Sequence, residues 1–201
     1  EASRPAVITL SNGVRVGLVS FLSFVSEGGI GKCTPATAKR AGVASLPLGM
    51  PTKKLKSRIK EIVNGAREDC DFLVVALHWG IERQPQPRPQ QVSTGRWFVE
   101  AGADVVLGAH PHVLQPGEIY KGKPIIYSLG NLVSPTPAQS ALYTLSFDGS
   151  KFTGANFHPT TISGGRVTLK ATKEAAVALT SAQAAGAVRV GFVVDHLFGG
   201  E

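Results

Sequence analysis

Two short segments, the unbroken apolar run 72–77 and the strand-like Asp-Val-Val-Leu-Gly at 104–108, separated by one helix-length segment, constrain the fold of this chain most strongly. An apolar run without polar alternation is the pattern of a strand covered on both faces. Residues 91–101 between them can form a helix, and Gly102 stops it. Strand, helix and strand in that order predict a βαβ unit with parallel strands. The loops after both strands then share the carboxyl edge of the sheet, where open α/β folds hold their ligands. The first run leads into His78-Trp79-Gly80 and an extended proline-rich loop at 84–89, and the second leads into 109–112 with His110 and His112.

The flanking sequence adds strands and one clear helix. Residues 6–10 and 14–24 read as a hairpin around Ser11-Asn12-Gly13, because Asn-Gly tolerates the positive φ angles of a tight reversal. Residues 26–51, rich in Gly, Ala and Pro, read as an excursion loop. Residues 52–67 read as a helix with Thr52 as cap and Leu55, Ile59, Ile62, Val63 and Ala66 along one face. Lys53, Lys54, Lys56, Arg58 and Lys60 cover the remainder, a solvated outer face in preference to a polyanion-binding one. Further on, 118–120 and 124–129 flank a basic Lys121-Gly122-Lys123 tip, and 142–147 and 151–158 flank Asp148-Gly149. A strand at 166–170 and an alanine-rich helix at 171–185 follow, while 188–197 carries no assignable pattern.

With 201 residues and 43% apolar content the chain has the material for one domain with a sizeable core. No run approaches the roughly 18 apolar residues of a membrane-spanning helix. Lys and Arg number 21 against 14 Asp and Glu, a net charge of +7 that favours an acidic partner without naming its class. Cys33 and Cys70 lack a metal-binding spacing; parity allows one disulfide, but two buried thiols is the preferred reading. The first residues, Glu-Ala-Ser, lead us to expect a start partway along a longer gene product.

The histidines carry the chemistry. Pro111 stiffens the turn between His110 and His112, and in extended chain i and i+2 side chains share a face. Neutral imidazole suits Zn, Cu, Fe and Ni, and three imidazoles can hold one catalytic zinc with an open position. His78, His110 and His112 are therefore the candidate metal ligands. A lone histidine is ordinarily a hydrogen-bonded loop or core residue, and that reading is kept for His158 and His196. A two-metal site also calls for carboxylates. Asp69, Asp71 and Asp104 fall at the opposite strand ends, and Glu82 is the one acid close to the histidines in sequence. The chain thus carries half of a dinuclear site.

Three blocks, Val74-Val75-Ala76-Leu77-His78-Trp79-Gly80-Ile81-Glu82, the segment 102–116 around Gly108-Ala109-His110-Pro111-His112, and 120–131 ending in Ser128-Leu129-Gly130-Asn131, closely resemble the bacterial capsule-synthesis proteins of the CapA/PgsA type. That family is linked to poly-γ-glutamate capsules and is similar to the calcineurin-like metallophosphoesterases. The resemblance runs from about residue 6 to 168. It implies an α/β fold that is part of a four-layer α/β/β/α sandwich, with two divalent ions (Zn, Mn or Fe) at the sheet edges. By residue it implies metal ligation by His78, His110 and His112, and a cleft flanked by Glu82, Trp79 and Asn131. The family's Asp-x-His, Gly-Asp and Asn-Asn-His blocks do not occur here. Residues 1–201 are thus expected to be the C-terminal part of one such domain, with an N-terminal half or companion chain supplying the acidic ligands.

Two functions follow as expectations. One is metal-dependent hydrolysis of a phosphorylated or polyglutamate-like substrate, with Glu82 as catalytic residue orienting a ligand or carrying a proton. The other is a non-catalytic envelope assembly or export factor that binds an anionic polymer. An extracellular or cell-envelope location follows from the resemblance. A nucleic-acid-binding module ranks well behind both, since no recognition motif or stacking platform occurs.

Overall fold

The computed structural model describes residues 2–23, 34–135, 137–169 and 188–190. The βαβ unit stands at its centre. Strand β3 (Phe72–His78) is followed by helix α2 (Pro89–Ala101) and strand β4 (Val105–Ala109), and β3 and β4 pair in parallel from Val74↔Val105 to His78↔Ala109. Strand β2 (Arg15–Leu22) joins β3 in parallel on its other side and forms the expected hairpin with β1 (Ala6–Thr9). Gly13 takes φ 85° in that turn, and the Asn12 side-chain oxygen accepts the Val14 N–H at 3.1 Å. Strands β5 (Leu114–Tyr120) and β6 (Lys123–Leu129) form the basic-tipped hairpin, and β6 lies parallel to β4. The result is a six-stranded mixed sheet, β1-β2-β3-β4-β6-β5, extended at β5 by a three-residue strand, Val188–Val190.

Helix α1 (Thr52–Arg67) and α2 cover one face of this sheet. In α1 the five residues placed on one face by their spacing are the five that are buried. They pack with Leu73, Val75 and Leu77 of β3 and with Val106 of β4. Each of the four larger ones, Leu55, Ile59, Ile62 and Val63, contributes about 1.5–3 kcal/mol relative to exposure. Thr52 is the first helical residue and not the cap. Pro51 occupies the cap position without a side-chain hydrogen bond, its carbonyl accepting the Leu55 N–H. Helix α2 starts two residues earlier than expected because Pro89, lacking an N–H, fits its first turn. It ends at Gly102, whose φ of 117° is costly for a residue with a side chain.

The opposite face is less evenly covered. Strands β7 (Ala138–Asp148), β8 (Lys151–Ser163) and β9 (Arg166–Leu169) form a small antiparallel sheet. It meets the main sheet where Phe147 packs edge-on against Phe72, 4.6 Å between ring centroids. Val105 and Ile126 are buried on this side, but Phe72, Val74 and Ala76 are only half-buried and Leu18 is 44% exposed. Strand β3 is therefore not covered on both faces as its composition suggests. Strand β8 runs five residues further than expected. The segment 34–51 carries isolated bridges and no helix, and Leu46 buries itself in the core from it. Cys33, Phe24, the helix expected at 171–185 and His196 lie outside the described residues.

Candidate metal centre and adjoining cleft

His78 is the last residue of β3 and pairs with Ala109, the last of β4, so the sheet register itself carries both histidine loops to one edge. Trp79 N–H donates to the Ala109 carbonyl at 3.0 Å, and Arg83 N–H to the Pro111 carbonyl at 2.7 Å, tying the two loops together. His78 Nε2 and His110 Nδ1 stand 3.1 Å apart, and the His110 and His112 ring centroids are 6.0 Å apart. The sequence reading thus places three imidazoles together, and the structure brings them together.

Their ring nitrogens bear on whether a cation fits. Two nitrogens at about 2.0–2.1 Å from one tetrahedral ion would be separated by about 3.3 Å. The 3.1 Å spacing of His78 Nε2 and His110 Nδ1 is close to that value, and it is also that of a hydrogen bond between the two rings whose donor depends on the tautomer. His112 Nδ1 faces the side-chain oxygen of Asn131 at 2.7 Å. A carboxamide oxygen only accepts, so Nδ1 holds the proton and Nε2 retains a lone pair. Burial, followed by the neighbouring imidazoles, holds His78 and His110 below the ordinary histidine value, with Glu82 acting weakly in the other direction on His110. Both effects favour the neutral, lone-pair-bearing form. Among the described residues no group of three or more His, Cys, Asp or Glu side chains is arranged to hold a metal ion. The spacing of His78 and His110 alone is compatible with two ligands of one ion.

The backbone here is strained. His110 has φ 102° and His112 φ 59°, on either side of Pro111. Non-glycine residues in such regions cost about 1–3 kcal/mol each. Arg83, at φ 58°, repeats the pattern in the facing loop.

A cleft of about 800 Å³ opens beside His112, lined by Glu82, Arg83, Pro85, Leu114 and Asn131 among others. Asn131 is held from behind, where Ser140 Oγ donates to its backbone carbonyl. Glu82 and the largely exposed Arg83 lie 3.8 Å apart on its wall. Trp79 is placed differently. It is 0% exposed, stacks on Tyr127 and donates its indole N–H to the Tyr127 carbonyl at 2.9 Å, so it braces the core behind the cleft. Gly108 allows that contact, since a Cβ there would sit 1.9 Å from the Tyr127 carbonyl oxygen and 2.4 Å from the indole nitrogen. His158 pairs with Thr144 Oγ1 in the small sheet, as the bland reading expects. Asp71 and Asp104 do lie at the far strand ends, where they pair with Arg15, and with Arg67 and Lys123.

Two residues of this region escaped the sequence reading. Gln91 and Gln115 are each 1% exposed and hydrogen-bonded to one another at 3.1 Å. For Gln115 an uncharged amide next to Val113 and Leu114 was the available signal, and Gln91, among polar neighbours, offered none.

The model of the bacterial capsule synthesis protein family PGA_cap matches residues 1–136. The chain belongs to that family. The capsule biosynthesis protein CapA of Bacillus anthracis is 38% identical over 122 residues, which are 61% of this chain and 28% of that protein. The PGA biosynthesis protein CapA of Bacillus subtilis is 44% identical over 72 residues, 36% of this chain and 19% of the relative. A probable polyglutamine synthesis accessory protein of Mycobacterium tuberculosis is 29% identical over 132 residues, 66% and 34% respectively. The PGA_cap chain thus spans about a third or less of the length of these curated relatives. No helix among the described residues is long and apolar enough to cross a membrane.

Proposed function

We propose that this capsule-synthesis protein is a metal-dependent hydrolase-like component that acts, in the cell envelope, on an anionic polymer or phosphorylated intermediate of poly-γ-glutamate or related capsule assembly. The single observation that carries this reading is the convergence of His78, His110 and His112, with two ring nitrogens at the spacing of ligands to one ion. His78 and His110 would hold the first of two divalent ions, with His112 Nε2 available to the second. Bound there, such ions supply Lewis-acid polarisation and a water of lowered pKa. The remaining steps belong to the chain's own groups. Asn131 fixes the His112 tautomer, Glu82 stands in the cleft wall as proton carrier, and Arg83 together with the net charge of +7 draws in an anionic chain.

The acidic ligands would come from a companion segment of the kind the longer relatives have room for. It would complete the four-layer sandwich over the half-covered face at Leu18 and Val74. The decisive experiment is metal content together with turnover of γ-linked glutamate oligomers and phosphoesters, with His110→Ala and chelator as controls. Activity abolished by both supports the proposal.

A second reading is favoured by the incomplete ligand set among the described residues. In it the same fold binds the polymer without turning it over. Salt-sensitive polymer binding that survives chelation and His110→Ala would select this alternative.

A further inference from the structure

Loop 79–88 carries Glu82 and Arg83, yet it contains two prolines, Pro85 and Pro87, and little regular structure to hold it. It is held from beneath by side chains. The Gln115 amide donates to the Gln84 carbonyl at 2.8 Å and to the Gln86 carbonyl at 3.3 Å, so both of its N–H groups are spent on this loop. Its oxygen accepts from Gln91 Nε2 at 3.1 Å, and the Gln91 oxygen accepts the Arg88 N–H at 2.9 Å. The relay therefore starts and ends on the loop and passes through two fully buried carboxamides.

Three further features tie the relay to the cleft. Gln115 alternates along β5 with Leu114, which lines the cleft, and follows His112 by three residues. Gly80, at φ 90°, lies so close over Gln91 that a Cβ would meet its carboxamide at 2.9 Å. Arg83 N–H is bonded to the Pro111 carbonyl, between the two histidines. The loop wall is thus set at its far end by Gln115 and at its near end by Pro111.

We propose that Gln115, supported by Gln91, is a positioning residue. It fixes the Glu82–Arg83 wall at a set distance from His112, so that an anionic ligand meets a cleft formed in advance. A leucine-like core side chain could fill the same space, but it would leave the Gln84 and Gln86 carbonyls without donors. A glutamate would set a carboxylate against those two carbonyls. The inference rests on the reading that the cleft beside His112 is the working face.

The test is Gln115→Met in the full chain, with Gln115→Asn as the milder variant should the first fail to fold. Asparagine keeps the carboxamide but is one methylene too short to reach both carbonyls. Hydrogen exchange at Arg83, Gln84 and Arg88 is expected to rise about tenfold or more, with the amides of β3 and β4 unchanged. Affinity for a short γ-linked glutamate oligomer should fall about tenfold, while Co²⁺ binding by the imidazoles stays at the parent value. Unchanged loop exchange in a folded variant overturns the inference. So does exchange that rises equally in β3 and β4, which would make Gln115 an ordinary core residue. A parent chain that binds no oligomer counts against the functional reading alone, and the exchange measurement still decides the role of Gln115.

Discussion

Gly108→Ala tests how the two signature blocks lock together. The added methyl would sit 1.9 Å from the Tyr127 carbonyl oxygen and 2.4 Å from Trp79 Nε1. Neither atom is the free end of a flexible chain, since one is backbone of β6 and the other belongs to a fully buried indole. Relief requires moving β4 away from β6 or expelling Trp79 from its place against Tyr127. Overpacking of this kind costs about 1–3 kcal/mol. Losing the buried indole hydrogen bond adds about 1–3 kcal/mol. The expected loss, about 2–6 kcal/mol, is a large part of the roughly 5–15 kcal/mol that holds a domain together. In urea titrations followed by tryptophan fluorescence, the midpoint should fall by about 1–3 M for a slope near 2 kcal/mol/M. Gly154→Ala is the control. It lies in β8 with nothing within 4 Å of its Cβ position, and should stay within about 0.5 kcal/mol of the parent. A Gly108→Ala chain within 1 kcal/mol of the parent would refute the argument that Trp79 and Tyr127 dictate glycine there.

Asp104→Ala should destabilise by about 3–5 kcal/mol in the same titration, because the buried carboxylate accepts from Arg67, Lys123 and the Leu73 N–H. Asn131→Ala should weaken Zn²⁺ or Co²⁺ binding by about 10- to 100-fold in calorimetry, with thermal stability little changed, because it frees the His112 tautomer. Hydrogen bonds from Arg15 hold the Asp71 carboxyl at about 2, below its usual value. The folded value being the lower one, this pair's contribution is complete above about pH 4 and is lost as the pH falls through about 2. Asp71→Asn should therefore flatten acid unfolding curves between those limits, measured by circular dichroism.

The sheet edge and its histidines were legible because they depend on local pattern. Apolar runs set β3 and β4, Gly102 set the end of α2, and the parallel register then fixed where His78 and His110 fall. The role of Trp79 was not legible. The family resemblance places that residue at a cleft-flanking position, and only the structure shows its ring stacked on Tyr127 in the core. The Gln91–Gln115 pair was hidden for a related reason, since each glutamine gains its meaning from a carbonyl 24 or more residues away in the chain. The uneven cover of β3 was equally unreadable, because composition reports how apolar a strand is and not what lies over it.

At the turn 110–112, side-chain chemistry and backbone preference pull in opposite directions. Glycine would relax either histidine position and asparagine that of His112, and each would delete an imidazole. The structure therefore predicts that random substitution screened for heat resistance alone will drift toward small residues at this corner, discarding cation affinity as it does so.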